Sequence, residues 1–152
     1  MINAEYTFTL PLAPEAAFAY LGNPANDPEW QSSCLECRML DEPPQAGARY
    51  AIVFSFLGRR MQFQALIEHS DPVAGLHAFR VLEGPFQYQG RYTFRPHPEG
   101  TEVHWRFDAE PGGFFGILPV ALIRKVLISQ VEKDSGNLRK RFQAAAAQAA
   151  TA

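Results

Sequence analysis

The feature that most narrows the folds open to this chain is a change of hydrophobic period at Pro111-Gly112-Gly113. Before that break apolar residues recur at every second position; after it they recur every three to four. Ile2, Ala4, Tyr6, Phe8 and Leu10 share one face of an opening strand that Pro11 stops. Ala13–Gly22 reads as a short helix, with Pro14 suited to the first turn and Gly22 to the end. Asn23–Trp30, broken by Pro24 and Pro28, is loop or short helix, and Ser33–Leu40 is a second strand.

Further strands follow as hairpins. Tyr50, Ile52, Phe54 and Phe56 lie on one face, as do Met61, Phe63, Ala65 and Ile67. Closing this hairpin through Leu57–Arg60 pairs Phe56 with Met61, Phe54 with Phe63, Ile52 with Ala65 and Tyr50 with Ile67. A strand at about Leu76–Leu82 comes next, then Phe86–Arg95 and Thr101–Ala109 around Pro96–Gly100. Matching Phe94 to Val103 sets Tyr92 beside Trp105 and Gly90 beside Phe107. Seven strands in successive hairpins predict a mostly antiparallel sheet.

Phe114–Ala147 reads as one long helix. Val120, Ile123, Leu127, Val131, Leu138 and Phe142 form its apolar stripe, interrupted by Asp134. Over 124–141 six bases meet two acids, an excess attributable to the helix C-terminus and its dipole. A single domain over 1–147 with a disordered tail at 148–152 is the expected organisation. The length of 152 residues suits one core, and 47% hydrophobic content with 20% charged excludes a disordered chain. A net charge of −2 argues against nucleic-acid binding, and no apolar run is long enough to span a membrane. The opening residues lack a signal-peptide pattern, which predicts a cytoplasmic protein.

Several segments resemble a known family: Leu12–Phe18 at the entry to the first helix, Asn26-Asp27-Pro28-Glu29-Trp30, Gly47, Gly100-Thr101, and Leu118-Pro119 with Leu138–Phe142. Their order is similar to that of the SRPBCC superfamily, the START-like or helix-grip proteins, within its polyketide cyclase/dehydrase-like branch. The resemblance covers about residues 2–143. It implies an α+β helix-grip fold: a seven-stranded curved antiparallel sheet wrapped around a long C-terminal helix, with short helices between strands 1 and 2. It also implies a cavity between sheet and helix. The residues support this separately, because the concave face carries Phe54, Phe63, Tyr88, Tyr92, Trp105 and Phe107, more than one helix can cover.

Strand parity turns Glu68, Glu102, His104, Arg106 and Asp108 away from that face, leaving two catalytic candidates. A Gly84-Pro85 turn brings His77 inward beside Tyr92; another loop length brings Arg80 inward instead. Asp134 is either an acid, base or ligand anchor in an apolar pocket or a solvated residue at the stripe's edge. Trp30 is a cap over the pocket or a core plug, and Leu127 supplies the helix side of the lining. Cys34 and Cys37, three apart in a strand, should face opposite sides, so no metal site or cofactor is expected. Phe114–Ile128 is apolar nearly all round, and Leu118, Leu122 and Val126 offer a face for self-association unless Asn23–Trp30 covers it. Three functions fit: binding of a hydrophobic small molecule (polyketide, lipid, isoprenoid or quinone), a cyclase or dehydratase in the same cavity, or a protein-interaction module using the apolar helix face.

Overall fold

The computed structural model describes residues 1–151. Strand β1 (Ile2–Leu10) leads into α1 (Pro14–Leu21), a 3-10 turn over Pro24–Asn26, and the single-turn helix α2 (Asp27–Trp30). Six strands follow: β2 (Cys34–Met39), β3 (Arg49–Phe56), β4 (Arg59–Asp71), β5 (Leu76–Glu83), β6 (Gln87–His97) and β7 (Gly100–Glu110). They form one antiparallel sheet in the order β1-β7-β6-β5-β4-β3-β2, and α3 (Val120–Thr151) packs against it along β1. This is the helix-grip arrangement.

The β6–β7 register matches expectation: Phe94 faces Val103, Tyr92 faces Trp105 and Gly90 faces Phe107. The β3–β4 register is shifted. Phe54 opposes Met61, Ile52 opposes Phe63 and Tyr50 opposes Ala65, because the connection is the two residues Leu57 and Gly58 rather than four. Both have positive φ (50° and 77°), the conformation required by the tight hairpin turn that matches strand twist. A slip of two residues keeps every side chain on its face, so alternation alone could not detect it.

Two further expectations fail for local reasons. A bulge between Cys34 and Glu36 leaves Leu35 unpaired, which reverses parity and turns both Cys34 and Cys37 toward one core. The long helix begins at Val120, not Phe114, because successive turns close at Phe114 N–H to Pro111 C=O and Gly116 N–H to Gly113 C=O, both 2.9 Å. These turns fold Phe114 and Phe115 back onto Phe86, with ring centroids 5.5 and 5.9 Å away.

At its other end α3 continues past Ala147 through Thr151, across most of the expected tail; Ala152 lies outside the described residues. Arg139–Arg141 therefore sit well inside the helix, beyond the last-turn reach of the dipole. Arg141 is held by side-chain contacts instead, donating to the Tyr20 hydroxyl at 2.7 Å and the Glu29 carbonyl at 3.2 Å.

Candidate functional site

Between the concave sheet face and α3 the packing leaves a cavity of about 120 Å³. Sheet residues form most of its wall: Phe54 from β3, Phe63 from β4, Tyr88 and Tyr92 from β6, and Trp105 and Phe107 from β7. Each stands at an inward position of its strand. Their rings interlock, with Phe63 and Tyr88 5.0 Å apart and Trp105 stacked on Phe107 at 5.9 Å. Leu127 of α3 lines the opposite side. Trp30 is both wall and core: it borders the cavity while its ring packs on Phe8 at 6.3 Å.

His77 points inward, opposite Tyr92, and is 2% exposed. Arg80 faces out, 2.9 Å from Glu68. The β5–β6 ladder ends at Arg80 and Gln89, and Gly84–Phe86 join the two strands. Buried against Phe18, Phe79 and Tyr92, His77 has its pKa lowered to about 4, and its Nδ1 has no hydrogen-bond partner. It is a neutral imidazole at ordinary pH.

Asp134 is 6% exposed and not a solvated edge residue. Its Oδ2 accepts from the Ser32 N–H at 3.0 Å and the Ser32 hydroxyl at 3.1 Å, fastening α3 to the segment after α2. That places Asp134 at the cavity wall with its carboxylate engaged in a structural link. His77 and Asp134 border one cavity, and burial is what lowers the histidine's pKa.

The ionisable group that the sequence reading missed is Asp27. It opens α2 and lines the cavity, and protein so surrounds its carboxyl that the pKa is raised well above the usual carboxylate value. The Trp30 indole N–H is directed at it without closing a full hydrogen bond, and offsets only part of the burial. Asp27 interacts electrostatically with the hydroxyls of Tyr50, Tyr88 and Tyr92, all three raised above the ordinary tyrosine pKa chiefly by burial. Gln31 donates to the Tyr92 hydroxyl at 3.4 Å. The available signal was an acid three residues before Trp30 in a proline-initiated turn. Nothing in that spacing says which way the carboxyl points.

Cys34 and Cys37 are free thiols. Burial pushes the Cys34 thiol up to about 12 and Cys37 higher still, which suppresses the thiolate that metal binding or nucleophilic attack requires. Among the described residues no cluster of three or more His, Cys, Asp or Glu could hold a metal ion. Among the described residues no helix is long and apolar enough to cross a membrane. Of the expected self-association face, Leu118 (38%) and Leu122 (43%) are exposed, while Val126 is half-buried against the core. The segment expected to cover them packs farther along α3, where Glu29 meets Arg141 at 3.8 Å.

A family model described as polyketide cyclase / dehydrase and lipid transport matches residues 1–143. The chain belongs to that family. Solved structures share the fold of this polyketide cyclase / dehydrase and lipid transport member. The protein TTHA0849 from Thermus thermophilus has 24% identity and a TM-score of 0.76, covering 95% of this chain and 97% of that one. A START superfamily protein from Mycobacterium smegmatis also scores 0.76, at 14% identity over 93% and 97%. Ginseng major latex-like protein 151 from Panax ginseng scores 0.67, at 16% identity over 90% and 96%. A comparison with curated proteins gave no significant match.

Proposed function

We propose that this family member binds a compact hydrophobic small molecule, of the polyketide, lipid, isoprenoid or quinone class, in the cavity between sheet and α3. The observation that carries this reading is a void walled by aromatic rings at inward strand positions, in a fold whose family description includes lipid transport. At about 120 Å³ the free space is close to the roughly 150 Å³ that accepts a benzene ring in an engineered cavity. One ring therefore fits as the side chains stand, and a ligand of two or more rings, the naphthyl probes below included, enters as Phe86, Phe115 or Leu127 rotates away. Trp30, Phe54, Phe63, His77, Tyr88 and Tyr92 then form one part of the contact surface, and Trp105, Phe107, Leu127 and Asp134 the rest.

Titration with N-phenyl-1-naphthylamine tests this. A saturable, one-to-one rise in fluorescence is expected, reduced at least tenfold in affinity by Leu127→Trp, which fills the cavity. Native mass spectrometry of protein purified without denaturant should show a small molecule bound. An absence of both signals in folded protein overturns the reading.

A second reading rests on Asp27. A carboxyl with a raised pKa beside three buried phenols is suited to proton transfer at a carbonyl compound, as a cyclase or dehydratase requires. Its mark is catalysed α-proton exchange of an aryl methyl ketone in D2O, abolished by Asp27→Asn. Exchange no faster than in buffer removes this reading.

A further inference from the structure

The polar groups of the cavity are unequal in kind. Asp27, Gln31, Tyr50, Tyr88, Tyr92 and His77 all border it, Gln31 donates to the Tyr92 hydroxyl at 3.4 Å, and Tyr50 interacts electrostatically with Asp27, Tyr88 and Tyr92. Among the described residues no lysine or arginine lines the cavity. The remaining carboxylate, Asp134, is occupied by Ser32. A ligand carboxylate or phosphate entering here would lose its hydration, meet no fixed cation, and lie near two acidic side chains. Taking an unpaired ion out of water costs several kcal/mol. A carbonyl or hydroxyl oxygen instead meets phenol O–H donors in a low-dielectric setting, where a neutral hydrogen bond is strengthened.

Resting on the binding function above, we propose that the cavity selects uncharged ligands that carry a carbonyl or hydroxyl oxygen on a hydrophobic ring, lodging that oxygen among Tyr50, Tyr88, Tyr92 and Asp27, and rejects carboxylates and phosphates of the same shape. Selection against the wrong partner follows from charge left without a counter-ion, and selection for the right one from donors left unpaired when the ligand offers no acceptor.

The test compares three ligands at pH 7 by calorimetry or by displacement of N-phenyl-1-naphthylamine. These are naphthalene, 2-acetylnaphthalene and 2-naphthoate, the last two nearly identical in shape. The expected order is ketone tighter than naphthalene, and naphthoate at least a hundredfold weaker than the ketone. Tyr50→Phe should weaken the ketone about three- to tenfold while leaving naphthalene unchanged, since only the oxygen loses a partner. Gln31→Lys, which puts a cation beside Tyr92, should narrow the gap between naphthoate and ketone at least tenfold. A thermal melt confirms that each variant folds.

Outcomes separate the two claims. If none of the three binds folded protein, the binding function itself fails. If naphthalene and the ketone bind equally, or naphthoate binds within a few-fold of the ketone, the pocket binds apolar rings but the selection proposed here is wrong. A Gln31→Lys variant that folds and leaves the naphthoate gap unchanged also overturns it, because a missing counter-ion is then not the reason for rejection.

Discussion

A histidine that folds into an apolar wall carries a pH dependence with a defined sign. His77 is packed among Phe18, Phe79 and Tyr92, and burial alone lowers its pKa from 6.5 to about 4. Above pH 6.5 it is neutral in both folded and unfolded chains. Between 6.5 and 4 the unfolded chain binds a proton that the folded one refuses, so stability falls as the solution is acidified. The loss reaches the order of 3 kcal/mol by pH 4, from about 1.4 kcal/mol per pKa unit. Asp27 contributes the opposite trend, since its raised pKa makes the folded state less unfavourable as its carboxyl protonates. Comparison with His77→Gln isolates the histidine: urea melts at pH 7 and pH 4.5 should show wild type losing more stability than the variant. Equal losses would mean that His77 ionises in the fold as it does in the unfolded chain.

At the scale of elements, one position on β6 trades side-chain volume for the close approach of a neighbouring ring. Gly90 on β6 opposes Phe79 on β5 and Phe107 on β7. A Cβ there would come within 2.5 Å of Phe79 Cζ and 3.0 Å of the Arg106 carbonyl. The phenylalanine ring thus covers the glycine backbone and completes the cavity wall. Gly90→Ala should destabilise the protein by about 1–3 kcal/mol through overpacking, measured as a shifted urea midpoint with an unchanged slope. Restoration of stability by the added substitution Phe79→Leu would place the strain in that contact. The β3–β4 hairpin and the Cys34–Glu36 bulge show the limits of pattern reading at this scale. Alternation established which residues of β3 and β4 face the core, and both strands obey it. It carried no information about a two-residue slip, which the Leu57-Gly58 turn decides, and it misplaced Cys37, which one unpaired residue carries to the other face.

Across the whole molecule, α3 changes from buried to exposed along its length. Ile123, Leu127, Val131, Asp134 and Leu138 face the sheet or the cavity, whereas residues 143–149 are exposed and lie almost wholly beyond the matched family segment. Truncation after Gln143 should therefore leave the melting temperature within about 2 °C of the full chain, because little apolar area leaves the core. A larger drop, read by circular dichroism, would assign the alanine-rich end a packing role. The sequence by itself determined the seven strands, the core-facing sides of β3, β4, β6 and β7, the terminal helix and the aromatic character of the inner wall, because each is written in a local period that survives small errors of boundary. It left His77 and Arg80 as alternatives for the inward position, and the β5–β6 register, joined through Gly84–Phe86, is what sets His77 opposite Tyr92. Only the tertiary structure decided that Asp27 joins the tyrosines, that Asp134 is tied to Ser32, and that about 120 Å³ stays open. Those facts depend on how α2 and α3 lie across the curved sheet. That placement sums contacts between residues as far apart as 112 positions, as Glu29 of α2 and Arg141 of α3 are, and no local spacing encodes it.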